Sequence, residues 1–177
     1  AKQGPLGTRE LNRLLQGKLN PPERGKGEAT LMGRTLREGD KVMQIRNNYD
    51  IIWQQPDGTA GTGIFNGDMG IIEMLDPGSK TIQVRFEEKR ATYSFENQDQ
   101  LEHAYAVTVH KSQGSEFEAV VMPLERRHPK LHYRNLLYTV VTRARKLLIM
   151  TGQKETVYAM VQNNRRTLRY TCLLYTS

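Results

Sequence analysis

The chain has 177 residues, of which 37% are hydrophobic and 25% are charged; this is typical of one compact domain, or of one domain with an insertion. Its apolar stretches are far shorter than the roughly 18 residues that a membrane span needs, and a single cysteine excludes an internal disulfide. The formal charge of +7 favours a polyanionic partner, although a solvated basic surface explains the charge equally well.

A helix is predicted over residues 8–19. Thr8 is a candidate N-cap, and Pro21 and Pro22 follow where the helix must end, because proline cannot continue it. Four leucines recur at helical spacing on one side: Leu11, Leu14, Leu15 and Leu19. We therefore expect that side to be buried.

The middle of the chain predicts short strands. Residues 23–35 are polar and rich in glycine and predict a loop, after which a strand is expected over 41–46. Between about residues 60 and 100, closely spaced segments alternate in polarity and are separated by turns: 69–75, 81–86 and 91–95. This spacing is typical of a small antiparallel barrel.

After residue 103 the pattern becomes α/β. The predicted elements are two apolar strands, one helix and a third strand, at 104–109, 119–124, 131–145 and 146–151. Strands and helices in this order favour a parallel sheet with right-handed crossovers. The residues from Tyr170 onward carry no usable pattern.

Polar residues crowd the segment that follows the strand predicted at 104–109. They are Thr108, His110, Lys111, Ser112, Gln113, Ser115 and Glu116, with Gly114 among them. Ligands of open α/β sheets lie beyond the carboxyl ends of strands. Hydroxyl, imidazole and ammonium groups donate to phosphate oxygens, while a glycine lets the backbone approach a ligand. Any one of these residues fits an ordinary polar loop, but the whole run favours phosphate contacts.

A second motif lies in the helix predicted at 131–145. Thr139 and Arg143 are four residues apart and share one side of that helix. An arginine at the exposed end of a buried helix offers a planar donor fork to a phosphate. Cations that simply complement the helix dipole are the commoner explanation, which this motif alone favours.

Together the two motifs resemble the fifth and sixth motifs of superfamily 1 DNA helicases, specifically the RecD-like branch that includes the alpha subunit of exodeoxyribonuclease V. The match runs in order over about residues 4–152. The stretches that carry it are Gly4-Pro5-Leu6-Gly7, Leu11-Asn12, Leu19-Asn20-Pro21, Gly39 to Gln44, Asn47-Asn48-Tyr49, Phe65-Asn66-Gly67-Asp68 with Gly70, Thr108 to Phe117, and Arg134 to Arg145. The PIF-family helicases share part of the Thr108 run.

The resemblance implies an α/β fold, the second RecA-like motor domain of a P-loop NTPase type, interrupted by a small SH3-like barrel. The implied divisions are 1–59 and 101–163 for the motor domain, 60–100 for the barrel and 164–177 for a tail. The implied activity is ATP-driven 5′-to-3′ movement along single-stranded DNA, with roles in DNA repair and recombination. The implied location is the bacterial cytoplasm.

The resemblance also implies roles for individual residues. Arg143 would be the arginine finger that reaches the γ-phosphate, and Gly114 and Glu116 would contact the nucleotide. The DNA contacts would come from the same loop, from Thr108, His110, Lys111 and Ser112.

No Gly-x-x-x-x-Gly-Lys-[Ser/Thr] motif and no Asp-Glu pair for a magnesium-binding motif occur in this sequence. We therefore expect that ATP and Mg²⁺ are held by an N-terminal RecA-like domain outside this chain, and that the chain alone does not hydrolyse ATP. The expected partners are that domain and single-stranded DNA, with the other subunits of a helicase–nuclease complex left open.

Other interpretations remain. One is a non-catalytic nucleic-acid-binding module, and another is the helicase part of a conjugative relaxase. A zinc site at His128 and His132 is disfavoured, because Pro129 disturbs the helix and no further ligand is at hand, and Cys172 lacks a nearby base to make it a nucleophile. Tyr49 and Trp53 are candidates for stacking on bases, with packing slightly favoured.

Overall fold

The computed structural model describes residues 7–124 and 133–164. The chain forms two compact units, Ala1–Lys111 and Ser112–Ser177, and each is described by itself. No helix within the described ranges is long and apolar enough to cross a membrane.

The predicted first helix is confirmed as α1, Thr8–Leu19, with Gly7 rather than Thr8 at its N-cap. The prediction of its buried side holds only in part, since Leu11 and Leu15 are half-buried. Asn12 and Gln16 are buried, whereas the side chains of Leu14 and Leu19 are 48% and 67% exposed. The polar side is buried because its amides find hydrogen-bond partners elsewhere in the unit, which removes the cost of taking them out of water.

A β-hairpin replaces the predicted loop at 23–35. Strands β1, Glu28–Leu31, and β2, Arg34–Arg37, pair antiparallel around Met32 and Gly33. Both turn residues have positive φ, 50° and 74°, which suits the tight two-residue turn of a hairpin. The segment escaped prediction because long-range hydrogen bonds hold it. Arg34, for example, donates to the backbone carbonyl of Gln98 at 2.9 Å.

Seven antiparallel strands form the main sheet of this unit, in the order β5-β4-β8-β7-β6-β3-β9. Their bounds are β3 Lys41–Gln44, β4 Asn48–Gln54, β5 Ala60–Ile64, β6 Met69–Asp76, β7 Thr81–Phe86, β8 Lys89–Ser94 and β9 Leu101–His103. A 3-10 helix, Phe95–Gln100, precedes β9. The sheet thus includes strands on both sides of the predicted 60–100 segment. Because β5 and β9 are not paired with each other among the described residues, a closed barrel stays a prediction.

The core of the first unit lies on one face of this sheet. Side chains that alternate along β6 and β7 are almost fully buried there, and Leu36 of β2 joins them. Tyr93 is the largest fully buried side chain, and its hydroxyl donates to the Gln44 side-chain oxygen at 3.0 Å. Burial raises the pKa of the Tyr93 hydroxyl well above its usual value.

Gly70 of β6 lies where no side chain fits, and we expect Gly70→Ala to destabilise the chain by about 1–3 kcal/mol. An added Cβ would lie 2.7 Å from the backbone oxygen of Arg85, which cannot move without disturbing the β6–β7 pairing. Urea unfolding measures the effect. Gly17→Ala is the matched control, since nothing lies within 4 Å of its added Cβ. At its exposed position in the last turn of α1, this substitution should stabilise the chain by up to about 1 kcal/mol. Equal stability of Gly70→Ala and the parent chain would contradict the packing argument.

The second unit contains the predicted parallel pairing. Strands β10, Phe117–Pro123, and β11, Ala144–Thr151, are parallel, and helices α2, Arg134–Val141, and α3, Lys154–Gln162, accompany them. Two predicted elements differ. The segment 104–109 contains no strand, and the helix predicted to reach residue 145 ends at Val141. It ends early because β11 begins at Ala144, where the chain pairs with β10 instead.

Candidate functional site

Arg143 lies in the turn between α2 and β11, beside the segment 112–116. Its backbone carbonyl accepts a hydrogen bond from the Phe117 N–H at 2.8 Å, which ties this turn to the start of β10. Its guanidinium Nη1 donates to the Ser115 carbonyl at 3.1 Å. The structure therefore brings Arg143 next to the residues around Gly114, although they are 28 positions apart in sequence.

The guanidinium of Arg143 has unused donor capacity. Its Nε atom is buried and has no hydrogen-bond partner among the described residues, and its Nη2 lies 3.5 Å from the Thr142 hydroxyl, at the limit of a hydrogen bond. A buried donor without a partner carries a desolvation cost. Because protein atoms cover Nε, the donor left for an oxyanion such as a phosphoryl oxygen is Nη2, and guanidinium donors bind phosphate oxygens strongly.

Gly114 occupies a turn whose backbone is open to a ligand. Its φ is +89°, a conformation that glycine adopts readily, and no atom of the described ranges lies within 4 Å of a Cβ built there. The turn is closed by the Ser115 N–H, which donates to the Ser112 carbonyl at 3.1 Å. Ser112 is 6% exposed, so this predicted DNA contact has its side chain largely covered.

Glu116, a predicted nucleotide contact, pairs with Arg145 at 2.8 Å. Both side chains are more than half exposed, and an exposed ion pair of this kind contributes less than about 1 kcal/mol. A ligand hydroxyl or cation can therefore compete with Arg145 for the carboxylate at little cost. The parallel register that pairs Phe117 with Ala144 brings Glu116 near Arg145, and the sequence motifs alone did not indicate this pair.

The other predicted DNA contacts belong to the first unit. Thr108 is partly buried, and its backbone carbonyl accepts from the Lys111 N–H at 2.9 Å. The side chain of His110 is exposed. The Lys111 ammonium is 2.6 Å from a carboxylate oxygen of Glu102, so its charge is partly neutralised before any DNA binds.

A buried carboxylate organises the chain just before these residues, and the sequence motifs did not assign it a role. Asp40 is 0% exposed, and its Oδ1 accepts from the Asn20 amide at 2.8 Å and from the Tyr105 hydroxyl at 2.9 Å. Its Oδ2 accepts from the His103 ring at 3.0 Å. Burial, helped by the charge of Asp40, raises the pKa of Tyr105 to about 12, so Tyr105 stays a donor at neutral pH.

The two aromatic residues considered for base stacking differ. Trp53 packs against the core of the first unit, as the sequence favoured, and the Lys89 ammonium lies 4.8 Å from the ring centroid. Tyr49 is 65% exposed, and its ring meets Phe65 edge-on at 5.6 Å between centroids. Packing therefore accounts for Trp53 and only in part for Tyr49.

Across residues 7–124 and 133–164, no three histidine, cysteine, aspartate or glutamate side chains cluster as a metal site would require. His128, His132 and Cys172 lie outside the described residues.

Two family models match this chain. The model described as the ATP-dependent RecD-like DNA helicase SH3 domain matches residues 11–86, and the UvrD-like helicase C-terminal domain matches residues 103–151. Both motif-bearing segments around Gly114 and Arg143 fall inside the second match. The first match covers the first unit as far as β7, and the second covers the candidate site.

Similar proteins extend over nearly the whole chain. The ATP-dependent RecD2 DNA helicase of Deinococcus radiodurans is 32% identical over 98% of this chain, and the RecBCD enzyme subunit RecD of Mycolicibacterium smegmatis is 28% identical over 97%. The chain spans only 22% and 27% of the lengths of these two relatives.

A solved structure shares the fold. It is the Pif1 helicase from Bacteroides in complex with ADP-AlF3 and ssDNA, with a TM-score of 0.52, 17% identity, and coverage of 86% of this chain and 40% of that one. At this identity the likeness concerns the fold alone.

Proposed function

This chain belongs to the RecD-like family of DNA helicases, as a C-terminal portion, and from this premise we propose that it forms the second motor domain of an ATP-dependent helicase that moves 5′ to 3′ along single-stranded DNA. The proposed partners are single-stranded DNA, an upstream RecA-like domain that holds ATP and Mg²⁺, and other subunits of a helicase–nuclease complex. The proposed location is the bacterial cytoplasm.

The observation that supports this function best is the position of Arg143. Its guanidinium lies against the Ser115 carbonyl, and in the described part of the chain its Nη2 has only a 3.5 Å contact with the Thr142 hydroxyl. ATP held by an upstream domain would supply the phosphoanhydride bond whose cleavage drives movement. The contribution of this chain is then a planar cation that neutralises charge on the phosphoryl oxygens as that bond breaks.

Gly114 and Glu116 fit a second part of the same task. The open backbone at Gly114 permits close approach of a nucleotide, and the weakly held Glu116 carboxylate can accept a hydrogen bond from a ribose hydroxyl. Thr108 and His110 belong to the same continuous run and are proposed to contact the DNA backbone. One short segment would then sense both ligands, which provides a route for coupling hydrolysis to movement.

One pair of experiments tests the direction of movement along DNA and the need for an upstream domain. The full-length protein should unwind a duplex with a 5′ single-stranded tail and not one with a 3′ tail, whereas the 177-residue chain alone should show no ATP hydrolysis. Strand displacement and phosphate release measure the two activities. ATP hydrolysis by the isolated chain, or unwinding only from a 3′ tail, would contradict the proposal.

The proposed DNA contacts carry a separate prediction. A variant with both Thr108→Ala and His110→Ala should bind single-stranded DNA about tenfold more weakly, as expected from losing one or two hydrogen bonds. Fluorescence anisotropy with a labelled oligothymidine measures the affinity. Thr92→Ala, at an exposed position on β8, is the matched control and should bind like the parent. An unchanged affinity of the double variant would remove the DNA role from this segment.

A further inference from the structure

Helix α1 buries a stripe of amide side chains. Asn12, Gln16 and Asn20, which directly follows the helix, are spaced four residues apart and are only 8%, 8% and 6% exposed. Side chains at this spacing lie on one side of a helix. Burying three amides requires that each find partners, and the identity of those partners indicates what the stripe does.

Asn12 binds the backbone of a single short segment, 103–106. Its Nδ2 donates to the His103 carbonyl at 3.1 Å and to the Ala106 carbonyl at 2.8 Å. Its Oδ1 accepts from the Ala106 N–H at 2.7 Å. One side chain thus makes three hydrogen bonds and satisfies both backbone polar groups of Ala106.

Asp40 binds two side chains of the same segment. It accepts hydrogen bonds from the His103 ring and the Tyr105 hydroxyl, while Gln16 and Asn20 of the stripe donate to its two oxygens at 2.7 and 2.8 Å. Segment 103–106 is therefore fixed twice, by Asn12 through its backbone and by Asp40 through its side chains.

Segment 103–106 needs these hydrogen bonds because the chain leaves the sheet within it. Strand β9 ends at His103, and Ala104 makes one more backbone hydrogen bond to the sheet, from its N–H to the Lys41 carbonyl of β3 at 2.7 Å. Residues 105–107 belong to no helix or strand, so no ladder of backbone hydrogen bonds sets their path. Only Val107 separates Ala106 from Thr108. A shift of Ala106 would therefore be passed directly to Thr108 and His110.

We propose that Asn12 is a positioning residue for DNA binding: with Asp40 and Tyr105 as a second anchor, it holds segment 103–106 so that Thr108 and His110 are presented to the single strand. This inference rests on the proposed DNA role of Thr108 and His110. It assigns a purpose to the family-like stretches at Leu11-Asn12, Asn20 and Gly39-Asp40, none of which is proposed to touch DNA.

The test is a double-mutant cycle in the full-length protein, with affinity for oligothymidine as the readout. Asn12→Ala should weaken DNA binding about five- to tenfold. Added to the variant with Thr108→Ala and His110→Ala, it should cost almost nothing further, since a residue that acts only through others has no effect once they are gone. Leu14→Ala, on the exposed side of the same helix, should bind like the parent.

A second readout separates positioning from general support of the fold. In Asn12→Ala, the DNA concentration that half-stimulates ATP hydrolysis should rise by the same factor, while the rate at saturating DNA and the KM for ATP stay unchanged. Tyr105→Phe, which removes one hydroxyl and leaves the ring, should show the same pattern at about two- to threefold. It provides the test if Asn12→Ala does not fold.

The outcomes separate the two proposals. Asn12→Ala could weaken DNA binding by the same factor in the parent and in the variant with Thr108→Ala and His110→Ala, or it could lower the rate of ATP hydrolysis at saturating DNA. Either result would overturn the positioning role of Asn12 and leave the DNA role of Thr108 and His110 intact. Parent-like affinity in the variant that lacks Thr108 and His110 would overturn both. If Asn12→Ala weakens DNA binding in the parent but not in the variant with Thr108→Ala and His110→Ala, both proposals are supported.

Discussion

Arg143→Ala in the full-length protein is expected to lower DNA-stimulated ATP hydrolysis by about 10³-fold or more, as arginine fingers do in related phosphoryl transfers. The reason is the placement of the Arg143 guanidinium beside the 112–116 turn. Affinity for single-stranded DNA should stay close to that of the parent, because Arg143 is not among the proposed DNA contacts. Phosphate release at saturating DNA measures the first quantity, and anisotropy measures the second.

Two further variants sharpen this test. Arg143→Lys keeps the positive charge but loses the planar donor fork, so it should recover only a small part of the activity. Lys146→Ala removes a nearby cation that is 77% exposed and paired with Glu118, and it should hydrolyse ATP like the parent. If Arg143→Ala retained full activity, the non-catalytic nucleic-acid-binding module would become the better interpretation.

Asp40→Ala is expected to destabilise the chain by about 3–5 kcal/mol, the range typical of removing one partner from a buried charged network. Five donors would lose their acceptor: the side chains of Gln16, Asn20, His103 and Tyr105, and the Arg37 backbone N–H. Urea unfolding followed by circular dichroism measures the loss. Asp50→Ala, at an exposed position of the same unit, should change stability by less than about 0.5 kcal/mol. A loss for Asp40→Ala as small as for Asp50→Ala would contradict the network.

Asp40 also predicts how stability depends on pH. Burial alone would raise the pKa of this carboxyl, but hydrogen bonds from His103, Asn20 and Tyr105 outweigh burial and hold the pKa below its usual value. A carboxyl with a lowered folded pKa stabilises the fold above its unfolded pKa, near 3.9, and the stabilisation is lost as pH falls through the folded pKa. Unfolding of Asp40→Asn should therefore depend less on pH below about 4 than unfolding of the parent chain. Identical pH profiles would show that Asp40 is not held ionised.

The sequence by itself identified the family and predicted the chemistry of the candidate site. The polar run from Thr108 to Glu116 and the stretch that ends in Arg143 are recognised by the order of their residue types. Recognising them requires no knowledge of packing. Strands β6 and β7 could also be predicted closely, because alternating burial along a strand is a local pattern. Their positions and the parallel pairing of β10 with β11 agree with those local expectations.

Only the tertiary structure decided which side of α1 is buried, where the hairpin at 28–37 forms and how Arg143 meets Ser115. In each case the deciding partner is distant in sequence: Asn12 binds His103 and Ala106, which are 91 and 94 positions away. A periodic pattern of leucines indicates which side of a helix is apolar. Whether that side is buried depends on whether the polar side finds better partners, and those partners are brought together only by the fold.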